Sequence, residues 1–471
     1  MKIVMKFGGT SVGSVAALKN VVQIIQSAKD DGHQPLLVVS AMSGVTNKLI
    51  AAANAAETGD EHAAHTARVE IERKHAETTR EFLGDSAARD AVMAEVTRLL
   101  DEFETLCHGI RVLGELTPRA LDVISGLGER MNAPQVAAIL RANGLPATAV
   151  DARRLIVTDK RHGAATPVID ATAEHTQSVL EPLLAAGKIP VITGFIAATA
   201  EGVPTTLGRG GSDYSATIIG RAMSADEIWI WSDVNGVMTT DPRIVPEART
   251  IRHLSYVEVG ELAYFGAKVL HPRAIRPARQ ANIPVRMLNT FNPDHPGTLI
   301  DGNIQIDGRA VKAITAIKDM SIITIAGTGM MGIPGVAGRT FSAVARTGTS
   351  VLMISQASSE QSICFMVKTT ESPTVIAALE EELARELERR DLDEISVQDD
   401  TVILAVVGAG MKGTPGISAK VFGALGRAAV NIIAIAQGSS EYNISLVVAQ
   451  GDANTAVRLI HNEFEMGQVV P

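Results

Sequence analysis

The sequence predicts a doubly wound, mostly parallel α/β sheet followed by two small α+β domains. Three observations predict it. Residues 1 to about 300 alternate short, continuous apolar runs with helix-patterned stretches, as strands covered on both faces do. Two glycine-rich segments stand where such strands give way to helices, Gly8-Gly9-Thr10-Ser11 and residues 205–213 (TTLGRGGSD). The last third repeats itself. Gly327-Thr328-Gly329-Met330-Met331-Gly332-Ile333-Pro334-Gly335 recurs as Gly408-Ala409-Gly410-Met411-Lys412-Gly413-Thr414-Pro415-Gly416, an offset of 81 residues (408 − 327). Two copies at that spacing indicate a duplicated domain and not a solenoid.

The elements follow in order. Residues 2–7 (KIVMKF) read as a strand ending near Lys6, and a helix is predicted over 15–29. Further strands are predicted at 35–40, 147–150, 189–195, 227–231 and 283–288, with a helix over 213–223 after the second glycine segment. Residues 60–108 carry apolar residues at helical spacing and read as a pair of amphipathic helices; His62, His65 and His75 complete no ligand pattern and are assigned to a solvated face. In the last third, each copy runs strand, glycine loop, helix (341–346; 421–427), strand, turn, strand, and Gln356-Ala357-Ser358-Ser359-Glu360 recurs as Gln437-Gly438-Ser439-Ser440-Glu441. Between the copies, 377–390 reads as a charged helix and 391–400 as the polar linker. The domains expected are 1–300, 301–395 and 396–471, with residues near 305–318 able to add a strand to the last.

The glycine segments carry the chemistry. A glycine loop that opens a helix presents N–H groups beside the positive end of the helix dipole and suits an anion. Arg209 adds a planar fork for a carboxylate or phosphate, and Lys6 a compact cation for a transferring phosphate. Neither spacing is that of a P-loop or a dinucleotide fingerprint. The pair implies a ligand with several phosphates, or with one phosphate and one carboxylate. Gln356 and Gln437 either pin a turn or read an amino acid held by the adjoining glycine loops.

Composition narrows the classes. The formal net charge of −9, with no basic stretch, argues against nucleic acid, and 3% aromatic residues leave few stacking platforms. No apolar run approaches the ~20 residues that span a membrane. Two distant cysteines, Cys107 and Cys364, fit a reducing cytoplasm and argue against zinc or a disulfide framework.

Seven motifs then occur in one order: Lys6-Phe7-Gly8-Gly9-Thr10-Ser11, Ser40-Ala41-Met42-Ser43-Gly44-Val45-Thr46-Asn47, Gly128-Glu129-Arg130, residues 206–213, Trp231-Ser232-Asp233-Val234, Thr239-Thr240-Asp241-Pro242-Arg243 and Gly266-Ala267-Lys268-Val269-Leu270-His271-Pro272. With them the chain resembles, over essentially its whole length, the aspartate kinases of the amino acid kinase family, and the tandem repeat resembles their paired, ferredoxin-like ACT domains. The resemblance implies phosphoryl transfer from ATP, with Mg2+, to the side-chain carboxylate of L-aspartate, the first step toward lysine, threonine and methionine. It implies that Lys6, Gly8, Gly9, Asp213 and Lys268 serve the transferring phosphate. Asp213 would orient Lys6 or Lys268, or sit near the metal ion; no protein metal ligand is assigned.

By the same resemblance, Ser40, Thr46, Glu129, Arg209, Gly210, Gly211 and Ser212 bind aspartate, with Glu129 on the α-ammonium and Arg209 on the α-carboxylate. Lys6, Gly9, Ser232, Asp233, Met238, Arg243, Lys268 and Val269 match the nucleotide contacts. Met238 replaces a tyrosine found in many relatives; it can pack on a base but supplies no hydroxyl. Gln356 and Gln437 resemble the threonine-sensing pattern more than a lysine site. A homodimer or homotetramer through the ACT domains is implied, and the absence of a third α/β domain predicts that no homoserine dehydrogenase is fused. Two rivals are another amino acid kinase acting on an N-acylated substrate, and a non-catalytic amino-acid sensor.

Overall fold

The computed structural model of the chain describes residues 1–267, 270–306, 309–330, 335–356 and 361–468. Its internal contacts divide it into two compact units.

The first unit comprises Met1–Val237, Thr250–Tyr256 and Val269–Asn303. Its main sheet has eight strands in the order Ala147–Val150, Ile189–Thr193, Gln34–Val39, Lys2–Phe7, Glu227–Ser232, Val285–Asn289, Thr298–Asp301, His253–Ser255. All neighbours are parallel except Val285–Asn289 with Thr298–Asp301. Lys2–Phe7 lies centrally, pairing Phe7 with both Val39 and Trp231. Ile3, Met5 and Phe7 are fully buried with Leu18, Val21 and Ile25 of the helix Val15–Asp30. The strand therefore reads as a continuous apolar run because both faces are covered.

The helical pair expected over 60–108 appears as Ala63–Leu83 and Ala87–Leu113. One assignment there is corrected. His75 is fully buried, with Nδ1 2.7 Å from Gln135 Oε1, and burial pushes its ring down to about 4, so it is a neutral core residue. Among the described residues no cluster of three His, Cys, Asp or Glu could hold a metal, and no helix is long and apolar enough to cross a membrane.

The second unit comprises Met238–Arg249, Val257–Lys268 and Ile304–Pro471. Its six-stranded antiparallel sheet runs Met353–Gln356, Ser362–Lys368, Ala313–Ala326, Glu394–Val407, Asn443–Ala449, Ala434–Ala436. Both repeats share the central pair. Ala313–Ile317 pair with Val407–Ile403, and Ile322–Ala326 with Gln398–Glu394. The polar stretch expected to be a linker is thus the first half of a 14-residue strand. Its polarity misled because most of residues 394–400 are exposed there and need no apolar pattern. The charged helix expected over 377–390 is two shorter helices, Ser372–Glu382 and Ala384–Arg389, parted at the fully buried Leu383.

Candidate active site

Two loops at the carboxyl ends of parallel strands, and a third after the short antiparallel strand Pro204–Thr206, converge in the first unit on a cavity of about 690 Å³. This is where an open α/β sheet places its ligands.

The first loop follows Lys2–Phe7. Gly8 N–H donates to Trp231 O at 3.2 Å, and a Cβ added at Gly9 would stand 3.0 Å from Ala41 O. Gly9 is therefore needed for a close backbone approach. Lys6 reaches into the cavity, where its Nζ lies 2.6 Å from Asp213 Oδ1; both side chains are mostly buried. Of the partners expected for Asp213, Lys6 is in place, and Lys268 lies outside the described residues.

The second loop joins Gln34–Val39 to the helix Val45–Glu57 and brings Ser40 and Thr46 to the wall. Asn132 Nδ2 holds Ser40 O at 2.7 Å. Glu129 stands opposite, in the first turn of the helix Leu127–Ala142 and 4% exposed. Burial pushes its carboxyl up to about 8, against hydrogen bonds from the backbone at Ala41 and at Glu129 itself. Its Oε2 has no hydrogen-bond partner although the residue lines the cavity. A buried carboxyl with one unpartnered oxygen in the wall of a cavity suits a cationic group.

The third loop, 207–210, carries Arg209 and opens the helix Gly211–Ala222. Gly208 and Gly210 take φ of 78° and 72°, which favour glycine. A Cβ at Gly211 would stand 2.6 Å from Phe195 Cδ2. Phe195 itself holds φ of 68°, strained for an aromatic residue, with its N–H donating to Ser215 Oγ at 2.9 Å. The strand expected over 189–195 consequently ends at Thr193.

The cavity thus brings together Lys6, Gly9, Ser40, Thr46, Glu129, Arg209, Gly210, Gly211, Ser212 and Asp213. Gly8 stands beside it, a Cβ there lying 3.5 Å from Lys6 Nζ. Of the residues expected on the nucleotide, Lys6 and Gly9 line this cavity. Ser232 ends the strand next to Lys2–Phe7 and Asp233 is exposed beyond it. Half-buried Met238 and exposed Arg243, which pairs with Asp241 at 2.6 Å, belong to the second unit. Lys268 and Val269 lie outside the described residues. Six wall residues escaped the sequence reading: Ile50, Leu121, Asp122, Ser125, Gly163 and Phe195. None has a motif of its own, although Phe195 follows the glycine after a buried strand.

The effector candidates are in the second unit. Gln437 lines a cavity of about 340 Å³ with Met411, Glu441 and residues 416–419, where the helix Ile417–Arg427 begins. Glu441 accepts the Gly413 N–H at 2.7 Å. Gln356 is exposed at the end of its strand, and the neighbouring residues 357–360 lie outside the described residues.

The amino acid kinase family model matches residues 1–289, and the ACT domain model matches 323–383 and 404–464. The bifunctional aspartokinase/homoserine dehydrogenase 1, chloroplastic, of Arabidopsis thaliana is 38% identical over 99% of this chain and 51% of its own. The chain spans about half the length of the first such curated relatives. Aspartokinase 1, chloroplastic, of Arabidopsis thaliana is 33% identical over 98% of this chain and 80% of its own. E. coli aspartokinase III in complex with aspartate and ADP (R-state) is 30% identical, covers 99% of this chain and 100% of its own, and superposes with a TM-score of 0.84. The same enzyme in complex with lysine and aspartate (T-state) gives 0.77 at 30% identity, covering 98% and 99%. This chain belongs to the amino acid kinase family, among the aspartokinases with tandem ACT domains.

Proposed function

We propose that the chain catalyses ATP-dependent phosphorylation of L-aspartate to 4-phospho-L-aspartate, the first step of lysine, threonine and methionine biosynthesis. The observation that carries this reading is the unpartnered carboxyl oxygen of buried Glu129, in the wall of the cavity that also holds Arg209 and the Lys6–Asp213 pair. An amino acid with a second carboxylate has one group for each. Glu129 takes the α-ammonium, Arg209 clamps the α-carboxylate, and the side-chain carboxylate points toward Lys6.

The nucleophile is that carboxylate, ionised at neutral pH because its reference pKa is near ~4. A carboxylate oxygen bonds to the γ-phosphorus while the bond to the β–γ bridging oxygen breaks and ADP leaves. No proton moves, so no general base is required. Lys6 neutralises charge on the transferring group and Gly9 offers an N–H group beside it, while Gly8, whose N–H is held by Trp231 O, keeps the backbone close to Lys6. Thr46, Ser40, Gly210, Gly211 and Ser212 complete the aspartate site. Ser232, Asp233, Met238, Arg243, Lys268 and Val269 are assigned to the nucleotide. Mg2+ would neutralise the nucleotide phosphates. The donor set fits an ion held mainly by phosphates and water, because Asp213 already pairs with Lys6.

Residues 1–300 are assigned to catalysis, 301–395 and 396–471 to regulation. Gln437 and Gln356 are assigned to a threonine effector, since a glutamine amide can pair with a hydroxyl. Assembly as a homodimer or homotetramer through the repeats and a cytoplasmic location complete the reading.

A hydroxamate assay with MgATP and hydroxylamine tests the reaction, because hydroxylamine traps an acyl phosphate. Signal with L-aspartate and none with N-acetyl-L-glutamate supports the assignment of Glu129. Signal only with the acetylated substrate overturns it, and silence with both favours a sensor. Calorimetric titration with threonine and with lysine tests the effector; lysine binding without threonine binding overturns that choice.

A further inference from the structure

We propose that Asp122 is a positioning residue for the aspartate site, acting through the turn 159–166 on the loop that carries Arg209; this rests on the proposed aspartate kinase reaction. Asp122 lies on the helix Pro118–Ser125 and is 3% exposed, in the wall of the cavity. A buried carboxylate is an expensive choice beside a site for an anionic substrate. Its charge is instead absorbed by three donors from two other segments. Oδ1 accepts the Thr206 hydroxyl at 2.5 Å and the Gly163 N–H at 3.0 Å. Oδ2 faces His162 Nδ1 at 2.7 Å and Gly163 N at 3.1 Å.

Those donors flank the Arg209 loop. Thr206 ends the short strand Pro204–Thr206 that leads into it, and its carbonyl accepts the Ala165 N–H at 2.9 Å. Gly163 lies directly against Gly208, where an added Cβ would meet Gly163 O at 2.9 Å. The turn is tied at its base as well, by Asp159 Oδ1 accepting from Arg161 N at 3.2 Å and Thr166 N at 3.0 Å. Asp122 therefore fixes the tip of a turn whose backbone is packed against the residue before Arg209. Hydrogen bonds to a charged acceptor are stronger than neutral ones, which explains a carboxylate here in place of an amide. The consequence falls on the amino acid: misplacing a clamp by about 1 Å suffices to cost roughly 10²-fold in productive binding.

The test is steady-state kinetics of the full chain with both substrates varied. Wild-type protein is assayed first for aspartyl hydroxamate; its failure to make any overturns the reaction and the proposal together. With an active wild type, Asp122→Ala should raise KM for aspartate about 10- to 100-fold and leave KM for ATP within about twofold. Asp122→Asn keeps an acceptor for Thr206 and Gly163 at Oδ1 but loses the one at Oδ2, and should recover only part of the loss. Thr206→Val, which deletes one donor at similar volume, should shift the same KM by a smaller factor and guards against misfolding of the alanine variant. An unchanged aspartate KM in folded Asp122→Ala or Thr206→Val overturns the proposal while leaving the reaction standing. So does a parallel change in both KM values, the signature of a general packing role.

Discussion

Lys312 and Asp393 occupy the same position of the two repeats, 81 residues apart, and carry opposite charge. Each precedes a strand, and each donates its N–H to the residue before a glycine: Lys312 to Val407 O at 2.9 Å, Asp393 to Ala326 O at 2.8 Å. In the first repeat Asp393 Oδ2 accepts the Thr328 N–H of the glycine loop at 3.2 Å. In the second, the equivalent Ala409 N–H goes at 2.8 Å to Glu258, from the helix Tyr256–Tyr264. Lys312 pairs with that Glu258 at 3.2 Å, both side chains almost fully buried. The second repeat thus borrows from an earlier segment the carboxylate that the first supplies itself.

Glu258→Ala should consequently leave a buried lysine without this carboxylate and a loop amide without its acceptor, and cost about 3–5 kcal/mol. Adding Lys312→Asp to that variant copies the first repeat and should recover part of the loss. Calorimetric unfolding of wild type, single and double variants measures the recovery; a double variant less stable than Glu258→Ala would contradict the equivalence.

On the proposed reading, Glu129 makes aspartate binding proton-linked. Its carboxyl is raised to about 8 by burial, so at pH 7 the unliganded site is mostly protonated. An ammonium placed against it favours the ionised form, so binding releases a proton and aspartate affinity should rise from pH 6 to about 8. Titration calorimetry in two buffers of different ionisation heat should show net proton release, and Glu129→Gln should abolish it. The sign for stability is opposite. The native state holds this proton longer than the unfolded chain, so this group's contribution falls as pH rises through the window from the ordinary carboxylate value to about 8.

Lys6 and Asp213 should separate in kinetics. On the proposed reaction, Lys6→Met removes charge neutralisation at the transferring phosphate and should lower kcat about 10²–10³-fold. Asp213→Asn leaves the lysine in place but unanchored and should cost less. Rapid-quench turnover with both substrates saturating distinguishes the two; equal losses would mean that the pair acts as one unit.

Gly128→Ala tests how closely the helix Leu127–Ala142 packs on the loop after Gln34–Val39. The new Cβ would lie 2.6 Å from Ala41 Cβ and 3.4 Å from Val45 Cγ1. Overpacking of this kind costs about 1–3 kcal/mol, against the gain of about 1 kcal/mol that alanine brings to a helix. A lower melting temperature with a raised aspartate KM is expected, because Ala41 also holds Glu129 through its backbone.

Much of this site was legible because its chemistry is written in contiguous motifs. A cation at a strand end and glycines after it mark Lys6, Gly8 and Gly9 without a structure, whereas Glu129 is marked only by the family resemblance. Asp122 was not legible, because its donors come from residues 162, 163 and 206 and only the fold collects them. Phe195 could not be foreseen as a left-handed residue, since its conformation is imposed by packing against Gly211 and by Ser215. Periodicity likewise marks His75 as helical without saying which face is covered. It marks 394–400 as polar without showing that a neighbouring strand fills its hydrogen bonds.

The interleaving of the two units has a consequence for modular exchange. The chain passes from one unit to the other at five places, since 238–249 and 257–268 leave the first unit and 250–256 and 269–303 return to it. Val245 is part of the apolar cluster that holds Val406, Val421 and Leu446, and Glu258 closes the second glycine loop. A regulatory half transplanted as a cassette from residue 304 onward would arrive without either. Sensitivity to a new effector is therefore better grafted by exchanging three segments together, with the catalytic sequence supplying two of them.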